Sequence, residues 1–451
     1  MSFSRRQFLL HSGGLALGTK VAASLPLNVF SSMAHAAGDY RAIVCVLLAG
    51  GCDSFNLLVP RSNAAYAQYQ ARRSDLALPQ SDLLPLDGTH NGVSFGLHPA
   101  LAALQARFNA GQASLITNIG PLVEPTDRAA YDNEQVVLPL GLFSHADQIL
   151  SWQTATPADR SGSGFAGRLA NALTGANTGL ALAGNISLSG NNAFQTGATA
   201  GSYSINAANG VQAIGGYDNA LVQQSLAQML DVADASILRR VYSQKIQSAI
   251  DAGALFGAAI DSASALNTSF AADNFSVAMA RIAQLISVRE QLGVTRQTFF
   301  VTYGGWDHHD NTLAEQAEML PALDAGLGQF LAATEELGVS QQVTTFTISD
   351  FGRTLTSNGK GSDHGWAGNA LILGGAVQGG RLYGDFPEQV EDNPLDVGRG
   401  RFLPSTAVDT LYAEISRWMG VDEALLPEVL PNWPNFVGST QGSGLDGLLA
   451  G

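Results

Sequence analysis

The chain has 451 residues, with 23 basic against 38 acidic side chains, a formal charge of −15, and 46% hydrophobic content. That charge balance makes nucleic acid and anionic membrane surfaces poor partners, while the apolar fraction is ample for a large core. Fifty glycines with only 14% charged residues point to tight turns and long surface loops, and no fixed repeat is evident, which excludes a solenoid.

The first residues carry an address. Ser4-Arg5-Arg6-Gln7-Phe8-Leu9-Leu10 has the pattern of a twin-arginine export signal. Leu9 to Phe30 is diluted by Gly13, Gly14, Gly18 and Ser24 and interrupted by Lys20, so it is too weakly apolar for a stable membrane span. Ala34-His35-Ala36 then supplies a small-x-small cleavage site. The expected organisation is a signal peptide over 1–36 and a single mature domain over 37–451. The twin-arginine export machinery becomes an expected partner and the periplasm or the exterior the expected destination. That route carries folded proteins and is used by those that take up a metal or cofactor first. Loss of Arg5, Arg6 and Lys20 with an acid-free signal leaves 20 basic against 38 acidic residues, a charge of −18. Cys45 and Cys52 would lie roughly 20 Å apart in extended chain, too far for a disulfide, which needs Cα atoms within about 7 Å.

In chain order, Arg41 to Leu48 is a continuous apolar run ending at a glycine pair, as expected of a strand buried on both faces. Pro99 to Asn109 has helical period and Ala113 to Gly120 is again a strand. Ala155 to Asn219, crowded with Gly, Ala, Asn, Ser and Thr, has no clear period and reads as an insertion, either a small β-rich subdomain or a set of long loops. Leu226 to Ile260 and Val277 to Leu292 have helical period, Gln297 to Gly304 is a strand, and Ala314 to Leu337 is a helix. Gln342 to Ser349 and Ala370 to Gly374 are strands, and Thr406 to Met419 is a closing helix. This alternation predicts an α/β fold with a mostly parallel central sheet and helices on both faces, where ligands collect at the carboxyl ends of strands.

Ionisable residues concentrate where strands are expected to end. Asp53 follows Gly50-Gly51-Cys52 and reads alone as a turn residue or helix N-cap. In Gly304-Gly-Trp-Asp-His-His-Asp310, Asp307 and His309 are two apart, so extended backbone points both to one side, where oxygen and imidazole donors suit a divalent metal. Asp350 and Arg353 read as an ion pair or as a ligand and an anion contact. Asp363-His364 lies in a glycine-bounded loop, and Ser144-His145 offers a hydroxyl beside a base. The donors Asp53, Asp307, His309, Asp350, Asp363 and His364 suit one or two divalent cations, which could activate a hydroxyl and stabilise charge on a phosphoryl or sulfuryl group.

Six segments occur in a recognisable order: LAGGCDSFNLLVP (48–60), LHPAL (97–101), SHADQ (144–148) with WQT (152–154), GGWDHH (304–309), DFGRT (350–354) and DHGW (363–366). In this the chain resembles the bacterial family called domain of unknown function 1501, over nearly the whole mature length. That family commonly begins with a twin-arginine signal and is similar to the alkaline-phosphatase-like superfamily of metal-dependent phosphatases, sulfatases and phosphomutases. The resemblance implies that Asp307, His309 and His364 form one metal site, that Asp53 and Asp350 belong to another, and that Ser144 stands where the hydroxyl nucleophile comes. Phe351 replaces the superfamily's usual histidine, which bears on the second site, and Cys52 stands where the family tends to have asparagine.

The expected function is an exported metal-binding hydrolase of a small-molecule or glycan phosphate or sulfate ester. Ser144, His145 and Arg353 are its candidate catalytic residues, and zinc, manganese, calcium or magnesium its candidate ion. The alternative is a non-catalytic exported binding or assembly protein that keeps the fold and one structural metal, an option motivated by Phe351.

Overall fold

The computed structural model describes residues 40–450 apart from 161, 178–180, 212–216, 218 and 232–235; the export signal expected over 1–36 lies outside the described residues. The chain divides into Met1–Tyr40 and Arg41–Gly451, and every element below belongs to the second unit.

Nine strands form the central sheet: β1 (Arg41–Ala49), β2 (Ala113–Gly120), β3 (Asn185–Ser187), β4 (Tyr203–Ser204), β5 (Arg296–Gly304), β6 (Val343–Ser349), β7 (Gly368–Leu373), β8 (Leu382–Tyr383) and β9 (Thr406–Ala407). Their order is β8-β2-β7-β6-β1-β5-β3-β4, with β9 also on β2. Pairing is parallel except at β7, which runs antiparallel to both β6 and β2. No helix links β6 to β7, and an antiparallel neighbour needs no crossover.

β1 lies centrally, in parallel register with β5 and β6: Ala49 pairs Gly304 and Leu48 pairs Ser349. The three loops that carry the candidate residues therefore leave the sheet side by side at one carboxyl edge. Two strands of the Gly/Ala/Asn-rich segment 155–219, β3 and β4, extend the sheet beyond β5.

Helices cover both faces. On one, Ile43, Cys45, Leu47, Phe300, Phe346 and Ile348 pack with Trp152, Phe165, Leu169, Leu411, Tyr412 and Ile415. Those last six belong to α3 (His145–Thr154), α4 (Phe165–Ala172) and α9 (Val408–Met419), which follow α1 (Asn63–Arg73) and α2 (Ala102–Asn109) in the chain. On the other side the alternate residues Val44, Val46, Phe299 and Val301 are also buried. There α7 (Asn274–Ser287) touches β5 and α8 (Thr312–Glu336), and α8 touches α2. A strand buried on both faces explains the unbroken apolar runs.

Three helix expectations need correction. The period over 226–260 is divided between α5 (Ala220–Leu230) and α6 (Ile237–Asp261), with Asp231 and Ser236 at the break, short polar side chains that compete for backbone hydrogen bonds. The period over 277–292 likewise breaks after Ser287, and Arg289–Leu292 forms a separate turn. Thr406 and Ala407 pair with β2, so the closing helix starts at Val408. Both cysteines are free and buried, as their spacing predicts.

Candidate metal centre

Gly50 and Gly51 let the loops close on one another. Their φ values are +119° and +81°, and a Cβ at Gly50 would lie 2.5 Å from the Asp307 backbone nitrogen, so any side chain there would push the β1 and β5 loops apart. Arg353 then ties the loops together. It is 1% exposed, and its guanidinium donates to the carbonyls of Gly51 (2.6 Å), Gly50 (2.5 Å), Ser362 (3.0 Å) and Trp306 (3.2 Å) and to Asp307 Oδ1.

Asp307 is the focus of the site. His309 Nε2 lies 3.1 Å and His364 Nε2 3.4 Å from its Oδ1, and His145 Nε2 lies 3.4 Å from its Oδ2. The Nε2 atoms of His309 and His364 are 2.9 Å apart. Each imidazole is anchored through its other nitrogen: His145 Nδ1 on Asp350 Oδ2 at 2.6 Å, His364 Nδ1 on the Phe143 carbonyl at 2.8 Å, and His309 Nδ1 on Asp363 Oδ1 at 3.2 Å. With the proton on each anchored Nδ1, the three Nε2 atoms offer lone pairs to a cation beside Asp307. Arg353 already meets Asp307 Oδ1, which leaves Oδ2 as the carboxylate's free donor. Donors on a single tetrahedral ion, at about 2.0–2.1 Å each, stand about 3.3 Å apart, which matches these separations. The ligand atoms of His145, Asp307 and His364 all lie within 4.8 Å of one another. The donor set, imidazole and carboxylate with outer-shell anchors, fits zinc or a similar borderline divalent ion.

A family model described as Protein of unknown function (DUF1501) matches residues 40–430, most of the chain. The chain belongs to the DUF1501 family. Among solved structures, this DUF1501 protein is similar to the PsFucS1 sulfatase from Pseudoalteromonas sp., at 10% identity and a TM-score of 0.36, over 88% of this chain and 71% of that one. It is similar also to the phosphonate monoester hydrolase SpPMH from Silicibacter pomeroyi (12%, 0.34, 87% and 77%) and the lipoteichoic acid synthase LtaP from Listeria monocytogenes (8%, 0.33, 86% and 74%). No curated protein matches the sequence.

The electrostatics of the DUF1501 site suit cation binding. Partial burial pushes Asp307 up, but the Arg353 guanidinium outweighs it and holds the carboxyl below its ordinary value. Burial opposes ionisation of Asp363 too, yet Asn358, Arg399 and His309 hold it down to about 2. Burial also depresses His364, which keeps its imidazole neutral and available as a donor.

The nine residues read from the sequence separate into groups. Asp307, His309, His364 and His145 converge, and Asp350 and Asp363 stand behind them as anchors. His145, read as catalytic, lies with these three around Asp307. Asp53 stands apart. It is fully buried, and its Oδ2 accepts from Arg73 at 2.9 Å and from the Ser362 hydroxyl at 2.7 Å, while Oδ1 takes the Phe55 N–H at 3.2 Å. A buried carboxylate needs a cation, and here Arg73 at the end of α1 supplies it. Arg353 pairs with Asp307 rather than with Asp350, whose other oxygen accepts the Gly50 N–H at 3.0 Å. Ser144 is the N-cap residue of α3, with no side-chain cap bond, and its hydroxyl lies on the side of Asp147, whose carboxyl Arg160 chiefly holds below its ordinary value. The Phe143 carbonyl, held at φ +73°, was missed because a backbone acceptor leaves no mark in residue type.

Proposed function

We propose that His145, Asp307 and His364, with His309 beside them, hold one divalent metal ion, and that the protein hydrolyses a phosphate or sulfate ester there. The observation that carries this reading is the convergence of the Nε2 atoms of His145, His309 and His364 on Asp307, each imidazole held through its Nδ1. A bound ion would supply Lewis acidity and charge stabilisation to an ester oxygen. The chain's own residues do the rest. Arg353 fixes Asp307, Asp350 fixes the His145 ring, and Asp363 fixes that of His309. Ser144, one residue before His145, is the candidate nucleophile; a water molecule is the other. Asp53 is held by Arg73, and Phe351 offers no donor, so one ion is proposed rather than two.

The test is metal analysis of the purified protein, followed by assay on a panel of aryl phosphate, phosphonate and sulfate esters. About one ion per chain and turnover that vanishes in Asp307→Asn are expected. Absence of bound ion after supply of zinc, manganese, calcium and magnesium in turn would overturn the proposal. Bound metal without turnover would favour the second reading, an assembly or binding protein with a structural ion, which the Asp307–Arg353 pair supports.

Export through the twin-arginine route is part of the proposal, supported by residues 4–10 and 34–36. Replacing Arg5 and Arg6 with lysine should trap the protein in the cytoplasm; unchanged fractionation would reject that route. Among the described residues no helix is long and apolar enough to cross a membrane.

A further inference from the structure

A cavity of about 570 Å³ opens at the amino edge of the central sheet, beside Asn185 and Arg296, the first residues of β3 and β5. A strand rises about 3.3 Å per residue, so the nine residues of β5 put this cavity roughly 26 Å from the loop that carries Asp307, and no residue of the metal centre lines it. Its volume falls within the range of about 300–1,000 Å³ that small-molecule sites occupy. One wall is α6. At about 100° per residue, Val241, Lys245, Ser248, Ala252, Phe256 and Ala259 fall within one arc of about 80°. The last three are buried and the first three line the cavity, so a single stripe of the helix runs out of the core and along the opening. A core-facing stripe is expected to be apolar, and Lys245 interrupts it. Its side chain is exposed as well as lining the cavity, which places it at the mouth, and its ammonium has no partner among the described residues.

Most other polar side chains of the wall are spent within the protein. Asn171 Oδ1 accepts from the Thr199 hydroxyl at 2.8 Å and the Ala200 N–H at 3.0 Å. Asn177 Oδ1 accepts the Thr295 and Arg296 N–H groups, and its amide donates to the Arg296 carbonyl. Asn185 Oδ1 takes the Thr298 hydroxyl at 2.6 Å, and Arg296 Nε donates to the Met419 carbonyl at 2.7 Å. What the wall leaves for a ligand is aliphatic surface from Leu169, Leu173, Leu182 and Val241, and the Lys245 cation with Gln244 and Ser248 beside it on α6. Among the described residues no carboxylate lines the cavity, in a chain with 38 acidic side chains. That combination selects a ligand with an aliphatic body and one negative charge. A cationic ligand would meet the ammonium, and a sugar would bury hydroxyls against donors and acceptors already taken.

We propose that this cavity binds a single fatty acid, its carboxylate on Lys245 at the mouth and its chain along the leucines inside. The experiment is isothermal titration calorimetry of the full protein with dodecanoate, decanoate and dodecyltrimethylammonium, each below its micellar concentration. One dodecanoate per chain is expected to bind saturably. It should bind about 15-fold more tightly than decanoate, since each buried methylene is worth about fourfold in affinity, and the cationic amphiphile should not bind. Lys245→Met keeps the aliphatic stem and removes the charge, and should weaken dodecanoate by about tenfold or more. A Cβ at Gly201 would meet only Leu182, at 3.7 Å, so Gly201→Phe fills the cavity without forcing the backbone and should abolish binding, with circular dichroism unchanged. If that variant fails to fold, Lys245→Met decides alone. Dodecanoate that does not saturate, that binds the lysine variant as tightly as the parent, or that dodecyltrimethylammonium matches in affinity overturns the proposal.

Discussion

Asp350 receives the Nδ1 proton of His145 across 2.6 Å, although 205 positions separate the two residues. The carboxylate is buried at the end of β6 and the imidazole opens α3, so the bond turns the opposite ring nitrogen toward Asp307. Anchors of this kind set the basicity and orientation of a donor without touching the ion. Asp350→Asn is therefore expected to lower metal affinity about 10–100-fold while leaving the fold intact. Competition with a chelator measures it, and an affinity equal to that of the parent protein would remove Asp350 from this role.

Arg353 acts on the backbone. Its guanidinium serves the carbonyls of four loop residues and the Asp307 carboxylate from a position with 1% exposure. Arg353→Ala should cost about 3–5 kcal/mol of stability, because it strands buried acceptors and an unpaired carboxylate. Arg353→Lys should recover only part of this, since an ammonium cannot reproduce the fork of donors. Urea denaturation gives both values, and a loss below about 1 kcal/mol for the alanine variant would contradict the account.

Asp53 and Arg73 form an ion pair with both side chains at 0% exposure. Asp53→Asn is predicted to destabilise the protein by about 3–5 kcal/mol by leaving the Arg73 charge uncompensated, with metal stoichiometry unchanged. Parallel thermal denaturation and metal analysis separate the two effects. Loss of the ion in a variant that stays folded would return Asp53 to the ligand set.

His98 supplies a pH dependence of its own. Burial pushes its pKa down to about 4, and the neutral ring accepts the Ala100 N–H on Nδ1 at 3.1 Å. In the unfolded chain the ring titrates near its ordinary value of about 6.5. Above that pH neither state is protonated and the contribution to stability is whole. As pH falls from about 6.5 to 4 only the unfolded state gains the proton, and up to about 3 kcal/mol is lost. His98→Asn should flatten this part of the stability curve, and denaturation midpoints at pH 7, 5.5 and 4 provide the comparison.

Much of the architecture was legible in residue order. The runs 41–48, 113–120, 297–304, 342–349 and 370–374 each fall on a strand to within a residue or two, because strands covered on both faces lack the polar alternation that blurs shorter signals. The mostly parallel sheet, the loops at its carboxyl edge and the pairing of Asp307 with His309 follow from that local information, whereas His364 joined them through the family resemblance. Partner choice among charged groups did not. Asp53 and Asp350 both follow strands at turns, yet one meets Arg73 and the other His145. Arg353 reaches Asp307 rather than the acid three positions before it. A buried charge takes the partner that packing delivers, and chain spacing places no bound on how far along the sequence that partner lies.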